Sequence, residues 1–445
     1  MIDQFTSQAW EALGGAPEAA GAVAFREQPG ALPSRLPVLA MARATVAACS
    51  LAAAELLAER SGTEPAPVLV DEGAVDAAFR SEKLLLIDGE PGATFAPYSG
   101  FWRTADGGWV RTHANYPHHR ARLLAALGLA ADATPEQLGA ELARRTALEV
   151  QETAYPAGAL AVAVGDAVPT DHPLVACGVP GSSERRLAPA ALPAAGVRVL
   201  DLTRVIAGPV ATRTLGLLGA DVLRVDSPRL PESADAHADT GFGKRSTLLD
   251  LAEPGDLAVL RELAEGADVV ITGYRPGALD RFGLTAEQLP GAVLVQLDAW
   301  GRQGPWAGRR GFDSLVQAGT GIAMLESPDG ERPGVLPAQA LDHGTGYLIA
   351  AGVLRALTER QRTGRTHRLR YALAATAHWL LTAPRPEPTA GPVPAFDPAP
   401  HLTHTASPYG RLHHARSPLG NLGAPRDWPA GPGRWGTDRP EWLTG

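Results

Sequence analysis

The stretch VRVLDLTRVIAGPVATRTLGLLGADVLRVD, residues 197–226, decides the fold. Its first six residues form a short β-rich run, and Val205 to Leu218 have a helical pattern after the turn residues Gly208 and Pro209. Ala220 to Val225 are the next strand-like run. A strand, a helix and a second strand in this order predict a βαβ unit with parallel strands and a right-handed crossover.

The same alternation continues along the chain. Helices are predicted at Pro254 to Glu265 and Thr285 to Leu289, and strands at Ala267 to Thr272 and Ala292 to Leu297. We therefore predict an α/β fold in which residues 191–385 form a Rossmann-like domain with a parallel sheet.

The first 190 residues have a different pattern, typical of a smaller α+β domain. Helices are predicted at Leu36 to Arg60, His119 to Leu129 and Pro135 to Gln151. Between the first two lies Phe101 to His113, whose Asp-Gly-Gly turn predicts a β-hairpin.

Two Pro-rich segments mark the ends of the Rossmann-like domain. The stretch APAALPAA, residues 188–195, predicts a linker near residue 190. Residues 386–445 are rich in proline and show no long apolar periodicity, which predicts an extended tail that is either wrapped over the body of the protein or partly disordered.

Composition excludes several classes of protein. The net charge of -8 does not favour a surface that coats nucleic acid. Cys49 and Cys177 are the two cysteines, so neither a disulfide scaffold nor a cysteine-based zinc site is expected, and we predict no metal site. The N-terminus lacks a basic and apolar leader, and the apolar run Val38 to Leu57 contains Arg43 and Glu55. We expect a cytoplasmic location and a buried helix at this run, not a membrane span.

Common catalytic and nucleotide motifs are missing. A dinucleotide-binding domain carries G-x-G-x-x-G in its first βα turn, but here that turn is TRVIAGP, residues 203–209. The sequence also lacks a P-loop, a G-x-S-x-G elbow and an H-E-x-x-H helix. NAD, and the usual kinase, hydrolase and zincin chemistries, are therefore not predicted.

A set of ordered motifs carries a family resemblance. The opening βαβ segment and five later blocks resemble class III CoA-transferases of the CaiB/BaiF type, which include formyl-CoA and carnitine CoA-transferases and α-methylacyl-CoA racemases. The later blocks are GKRS with LDL (243–251), ADVV (267–270), RPGALDRFG (275–283), GRQGP (301–305) and GFDSLVQAG (311–319).

The resemblance implies a class III CoA-transferase fold, no tightly bound cofactor, and coenzyme A or acyl-CoA with a carboxylic acid acceptor as substrates. It also implies a homodimer. Residues from about 98 to 185 resemble the part of the family that normally follows the Rossmann half, so the halves are expected to be rearranged or fused.

The family motif makes Asp313 the candidate nucleophile. In the family, the matching carboxylate attacks the acyl-CoA thioester and forms a mixed anhydride, which the CoA thiolate reopens to an enzyme-CoA thioester. By position alone, the alternative for Asp313 is an N-cap at the start of a helix.

The phosphates of CoA require placed cations in an acidic protein. By resemblance, Arg281 contacts the nucleotide part of CoA, Arg229 and Lys244 supply further charge, and Tyr274 packs beside the adenine, although solvated charges and a core tyrosine are the plain alternatives. The full set of candidate CoA-binding residues is Arg281, Lys244, Arg229, Tyr274, Phe282, Val205 and Ala207.

Two alternatives to CoA transfer stay open. An acyl-CoA racemase or isomerase would move an α-proton, but the segment from Gly241 to Asp342 has no histidine, so its base would come from His343 or from the N-terminal half. A non-catalytic CoA-ester-binding or scaffold protein is the second alternative. It is suggested by the rearranged halves and by Ile206 and Gly273, which stand where relatives carry polar residues.

Overall fold

The computed structural model describes residues 3–92, 95–165, 172–386, 395–421 and 424–443. The first part of the chain contains, in order, α1 (Gln4–Ala12), α2 (Pro17–Ala20), β1 (Val23–Arg26), α3 (Val38–Ser61), β2 (Val68–Asp71), α4 (Glu72–Phe79), α5 (Ser81–Leu84), β3 (Leu86–Ile87), β4 (Glu90–Pro91), β5 (Gly100–Arg103), β6 (Trp109–Thr112), α6 (Pro117–Ala126), α7 (Pro135–Leu142), α8 (Ala147–Ala154), β7 (Ala161–Ala163), β8 (Ala176–Cys177) and β9 (Gly181–Ser182).

The second part contains the elements of the predicted Rossmann-like domain and a final hairpin. These are β10 (Arg198–Leu202), α9 (Ala207–Leu217), β11 (Asp221–Asp226), α10 (Ala234–Thr240), β12 (Lys244–Leu248), α11 (Pro254–Glu265), β13 (Val269–Thr272), β14 (Val293–Asp298), α12 (Asp313–Gly319), α13 (Ile322–Leu325), α14 (Ala340–Thr363), β15 (Arg365–Thr366), β16 (Arg368–Ala372), α15 (Leu373–Thr382), β17 (Leu402–Ser407) and β18 (Gly410–Ala415), with short 3₁₀ turns at Asp280–Phe282 and Ala399–His401.

The central sheet confirms the predicted α/β class. Its seven strands lie in the order β12-β11-β10-β13-β14-β16-β8. The first six are parallel to their neighbours, and β8 is antiparallel to β16. Because the strand order changes direction between β10 and β13, this sheet has the switch point at which Rossmann-like folds bind ligands.

Two predicted helices differ from the structure. The segment Thr285 to Leu289 forms turns instead of a helix. The single helix predicted from Pro135 to Gln151 is two helices, because Thr146 caps α8 with a reciprocal hydrogen-bonding box that includes Glu149. The predicted hairpin is confirmed: β5 and β6 pair antiparallel, and β7 extends them to a three-stranded sheet.

The predicted boundary near residue 190 does not divide the main core. The long helices α3 and α14 pack along each other, and α14 also packs on α9. One hydrophobic cluster therefore contains residues from both sides of the boundary, such as Val46 and Leu56 of α3, Leu348 of α14 and Val199 of β10. The α6–α8 helices and their three-stranded sheet have a smaller core of their own.

Helix α3 is long and apolar enough to cross a bilayer, but 78% of its most apolar window is buried within the protein. It is a core helix, as its sequence predicted.

The C-terminal tail is more structured than an extended segment. Strands β17 and β18 form a hairpin, which joins β3 and β4 in a four-stranded sheet. Beyond the hairpin, the indole N–H groups of Trp428, Trp435 and Trp442 donate to Arg213 O, Asp226 Oδ2 and Leu263 O in the Rossmann-like part. The described part of the tail therefore packs on the body and contains a hairpin that the sequence pattern did not predict.

Candidate functional site

A pocket of 580 Å³ lies where the carboxyl ends of four parallel strands meet. Leu202 ends β10, Asp226 ends β11, Leu249 follows β12 and Tyr274 follows β13, and all four line the pocket. Its remaining lining is Val225, Ser227, Leu230, Asp250, Leu251, Ala252, Leu279, Arg281 and Phe282. The position is the one at which open parallel sheets bind ligands.

Three of the candidate CoA-binding residues meet in this pocket. The Arg281 guanidinium lies 4.6 Å from the centre of the Phe282 ring. Tyr274 is close by, and burial raises the pKa of its hydroxyl. A flat aromatic or apolar group with a nearby negative charge fits this lining.

Arg229 lies at the edge of the same pocket. Its Nε donates to Asp250 Oδ2 at 2.7 Å, and Asp250 is a lining residue. Since the Arg229 side chain is 64% exposed, it can leave this surface ion pair at little cost and turn to a bound anion.

Lys244 is not part of the pocket. Its side chain is 1% exposed, and Nζ donates to Asp201 Oδ2 at 3.1 Å and to Pro209 O at 3.0 Å. Burial lowers the pKa of Lys244 to about 8, although Asp201 opposes this effect. Lys244 therefore ties β12 to β10 and to the first turn of α9, and its buried ammonium group does not line the pocket.

Val205 lies in the turn between β10 and α9, and Ala207 is the first residue of α9. Val205 has a left-handed backbone with φ 72, a conformation that costs energy in a β-branched residue. Ala207 packs against α14, since a Cβ added at Gly346 would lie 2.6 Å from Ala207 O. The turn therefore joins the pocket, through Leu202, to the first turns of α14.

Asp313 begins α12 and is fully enclosed. It does not cap the helix: Phe312 is the N-cap residue, and no side chain caps it. Instead, Asp313 Oδ1 accepts from the Gln317 amide, and Oδ2 accepts from the backbone N–H of Asp342 at 2.9 Å. Both of its oxygens are already engaged.

Asp342 lies in the first turn of α14, beside Asp313. It is 6% exposed, and within the described ranges no hydrogen bond reaches its carboxylate. Burial, together with the charges of Asp313 and Glu82, raises the pKa of Asp342 well above its ordinary value. Burial also raises the pKa of Asp313. Two such neighbours titrate as a pair and retain one proton where an isolated aspartate would have none.

A third acid, Glu82, reaches this cluster from the N-terminal part. Glu82 of α5 places Oε2 3.0 Å from His343 Nε2, where the ring N–H can donate to the carboxylate. Although burial opposes it, the hydrogen bond and charge of His343 lower the pKa of Glu82. Lys83 also donates to Pro337 O at 2.9 Å and so holds α5 against the segment before α14.

The hairpin supplies the opposite wall. The His113 ring stacks on Phe312, with ring centres 3.7 Å apart and planes 3° from parallel. Burial lowers the pKa of His113 to about 3, so this ring is neutral at physiological pH. Arg111 lies two residues earlier and is also buried. Within the residues whose structure is described, no group of three His, Cys, Asp or Glu is arranged to hold a metal ion.

Sequence reasoning missed a basic pocket of 590 Å³ between α6, the end of α8 and the loop before α12. Arg122, Arg275 and Arg310 line it, and none has an acidic partner in the parts of the chain that the structure describes. Burial and the charges of Arg122 and Arg275 lower the pKa of Arg310. Uncompensated like charges of this kind favour a bound anion. The arginine-rich motifs around residues 275 and 310 were the available signal.

Residues 194–415 match the family model described as CoA-transferase family III. This confirms the resemblance for the Rossmann-like part. The match begins at residue 194, so the rearranged order of the halves stays a prediction.

Curated relatives each match less than half of the chain. The acetyl-coenzyme A transferase nodX of Hypoxylon pulicicidum is 35% identical over 227 residues, which are 47% of this chain and 35% of that protein. The probable fatty acyl-CoA transferase Rv3272 of Mycobacterium tuberculosis is 34% identical over 39% of this chain and 48% of its own. The succinyl-CoA:glutarate CoA-transferase of Mus musculus is 33% identical over 39% and 43%. The chain thus spans less than half the length of each.

Among solved structures, the orthorhombic form of Rv3272 shares 34% identity, covers 43% of this chain and 56% of its own, and gives a TM-score of 0.40.

Proposed function

Since residues 194–415 form a region of CoA-transferase family III, we propose that this chain transfers coenzyme A from an acyl-CoA to a carboxylic acid. The observation that carries the proposal is the buried Asp313–Asp342 pair, which packs near the turn that leads to the pocket at the sheet edge. A carboxylate in this position is the nucleophile that such a transfer needs.

Coenzyme A would bind with its adenine in the pocket lined by Tyr274, Phe282 and Arg281. Its phosphates would meet Arg229 at the edge and the unpaired arginines that begin at Arg275, the residue after Tyr274. The pantetheine arm would then pass the Val205–Ala207 turn toward α14. This path accounts for the local cations that an acidic protein must supply.

The hydrogen bonds distinguish the two aspartates. Gln317 and the Asp342 N–H engage both oxygens of Asp313, whereas the Asp342 carboxylate accepts no hydrogen bond from a described residue. Once ionised, an oxygen without such bonds is the better nucleophile, since no donor has to be broken away before attack and the raised pKa of Asp342 makes its anion more basic. We therefore assign the nucleophile to Asp342 and give Asp313, the candidate from sequence, the role of its positioning neighbour.

The reaction follows from this assignment. An Asp342 oxygen attacks the thioester carbonyl of the acyl-CoA, and CoA thiolate leaves, which gives a mixed anhydride. The thiolate attacks the Asp342 carbonyl of the anhydride, releases the first acid and forms an enzyme-CoA thioester. The acceptor carboxylate then displaces the thiolate, and the thiolate attacks the acceptor's acyl carbonyl, so that new acyl-CoA leaves and Asp342 is restored.

Proton transfer at the α-carbon of an acyl-CoA is the second candidate function. The observation that favours it is the His343–Glu82 contact of 3.0 Å directly beside Asp342, since it supplies an acid and a base near one carboxylate. The third candidate is a non-catalytic protein. It would bind CoA esters even after His343, Glu82 and Asp342 had been replaced. We also propose a cytoplasmic homodimer without a tightly bound cofactor, as expected from the sequence.

One experiment separates these functions. The chain is incubated with a panel of acyl-CoA esters in heavy water, with and without a panel of carboxylic acids, and the esters are analysed by mass spectrometry. Transfer predicts new CoA esters that form only when acids are present. Deuterium at the α-carbon without an acid would favour the second function, and unchanged esters that still bind would favour the third.

A further inference from the structure

Arg111 differs from every other buried arginine that the structure describes. Arg213 lies 3.2 Å from Asp239, Arg224 lies 2.7 Å from Asp226, and Arg360 lies 2.8 Å from Asp268. The guanidinium of Arg60 donates to the backbone carbonyls of residues 188, 192 and 193. Arg111 is 6% exposed, yet it has no acidic partner and no side-chain hydrogen bond within the described ranges, and its Nε is enclosed without a partner.

The fold brings this side chain near Asp313 of the buried aspartate pair. Arg111 and His113 are two residues apart on extended chain, so they point to the same face. His113 stacks on Phe312, the residue before Asp313. On the neighbouring strand, Phe101 is directly opposite Arg111, and its ring lies 4.7 Å from the guanidinium.

A buried guanidinium without a partner is costly, because burial removes its hydration and nothing replaces it. Phe101 and Phe95 offer ring faces at 4.7 and 5.0 Å, but neither carries a negative charge. Asp313 acts on Arg111 only through its charge, without a hydrogen bond. The terminal nitrogens donate no hydrogen bond within the described ranges and are not among the enclosed atoms, so they can still bind an anion.

We propose that Arg111 binds the carboxylate of the acid that accepts coenzyme A and so sets the specificity of the second half of the reaction. This inference rests on the proposed transfer function. The planar guanidinium offers two parallel N–H groups to a carboxylate, which fixes both its position and its orientation.

Arg111 can hold the acceptor throughout the transfer of CoA from the enzyme to that acceptor. The acceptor carboxylate, held by Arg111, uses one oxygen to attack the carbonyl of the Asp342–CoA thioester. The C–S bond breaks, CoA leaves as thiolate, and an anhydride between Asp342 and the acceptor forms. The thiolate then attacks the acceptor's carbonyl, and the Asp342 carboxylate leaves. Arg111 itself gains and loses no proton.

The test separates the two halves of the reaction. Arg111→Lys keeps the positive charge but loses the two parallel N–H groups of the guanidinium. Arg111→Met loses both the charge and these N–H groups. Arg103→Met, on the adjacent strand β5 and exposed, is the matched control. Formation of the enzyme-CoA adduct is measured by rapid-quench mass spectrometry, and the KM for the acceptor is measured by steady-state kinetics. Folding of each variant is checked by thermal unfolding.

We expect Arg111→Lys to raise the acceptor KM about tenfold, the usual effect of losing a charge-assisted hydrogen bond, with adduct formation within about twofold of the unchanged chain. Equal losses in both halves would show that Arg111 only supports Asp313, and an unchanged acceptor KM would also overturn the proposal.

A binding measurement tests the Arg111 site even if the chain shows no transfer activity. Acetate, succinate and benzoate are titrated against the CoA-bound chain, with acetamide, succinamide and benzamide as uncharged counterparts. The proposal requires that at least one acid, but not its amide, raises Tm, and that Arg111→Lys abolishes this shift. No shift with any acid overturns it. If the unchanged chain forms no adduct but still shows the carboxylate shift, the transfer function fails and the Arg111 site stands.

Discussion

The backbone N–H of Asp342 donates to Oδ2 of Asp313 at 2.9 Å and joins the starts of helices α14 and α12. Both aspartates are buried, and their unequal hydrogen bonding is the basis of the different roles proposed for them.

The first prediction concerns the two aspartates themselves. Asp342→Asn should lower kcat about 10³-fold or more, because the nucleophile is lost. Asp313→Asn should lower it by only about 10- to 100-fold, since the amide still fills the space and accepts the Asp342 N–H with its oxygen. Initial rates of CoA transfer measure both. Similar losses in the two variants, or a larger loss for Asp313→Asn, would return the nucleophile to Asp313.

The second prediction is a pH profile. Asp342 attacks only when ionised, and burial with the charges of Asp313 and Glu82 raises its pKa. The rate of adduct formation should therefore rise with pH until Asp342 has lost its proton. Asp313→Asn removes one of the charges that disfavour the anion, so the midpoint of this rise should move to lower pH. The profile is measured between about pH 5 and 9. If the midpoint does not move, the rise of the rate with pH does not come from the Asp313–Asp342 pair.

The third prediction is a gain in stability from the same substitution that removes activity. An acid whose pKa is higher in the folded chain than in the unfolded chain destabilises the fold as pH rises toward the folded pKa. Asp342→Asn should thus increase the free energy of unfolding by about 1 kcal/mol near neutral pH, and the gain should shrink at acidic pH. Thermal unfolding at several pH values measures it. A loss of stability at neutral pH would show that the ionised carboxylate has partners in the fold.

The fourth prediction uses two glycines of α14. A Cβ at Gly346 would lie 2.6 Å from Ala207 O, whereas a Cβ at Gly344 would make ordinary contacts, the nearest at 3.5 Å. Gly346→Ala should push α14 from the Val205–Ala207 turn, destabilise the fold by about 1–3 kcal/mol and raise the KM for acyl-CoA. Gly344→Ala should be neutral or stabilising by up to about 1 kcal/mol. Unfolding curves and steady-state kinetics are measured for both variants. If the two variants behave alike, the close approach of α14 to Ala207 determines neither stability nor the KM for acyl-CoA.

The fifth prediction tests the nucleotide pocket. Arg281→Ala should raise the KM for acyl-CoA about tenfold with little change in kcat, because ground-state binding alone is lost. The difference should diminish at high salt. Arg144→Ala, whose side chain is 79% exposed on the other part of the chain, is the control and should change neither parameter. A fall in kcat with KM unchanged would place Arg281 outside the nucleotide site.

The sheet was predictable because each strand is a short apolar run between turn residues, and the alternation with helices leaves few topologies. The break between α7 and α8 could also have been predicted from the sequence. Thr146 and Glu149 form a capping box within a longer apolar pattern, and this box marks the start of α8. The helix predicted at Thr285–Leu289 was too short to be stabilised by its own hydrogen bonds.

The site was harder to predict because its parts are distant in sequence. Asp313 and the nucleotide pocket follow from local motifs. Asp342 meets Asp313 across 29 residues, and Glu82 meets His343 across 261, so only packing brings them together. Lys244 shows the opposite case. Its motif predicted a ligand contact, but the side chain is buried and its ammonium group pairs with Asp201.

The most direct test of the account is the position of the covalent intermediate. The chain is mixed with acyl-CoA, trapped with hydroxylamine or borohydride, digested and sequenced by tandem mass spectrometry. Asp342 and Asp313 are 29 residues apart, and because trypsin does not cleave the Arg332–Pro333 bond, a glutamate-specific protease that cleaves after Glu326 or Glu331 is used to place them in different peptides. The account predicts a modification at Asp342 that persists in Asp313→Asn and disappears in Asp342→Asn. A modification at Asp313, or none in the presence of bound acyl-CoA, would contradict it.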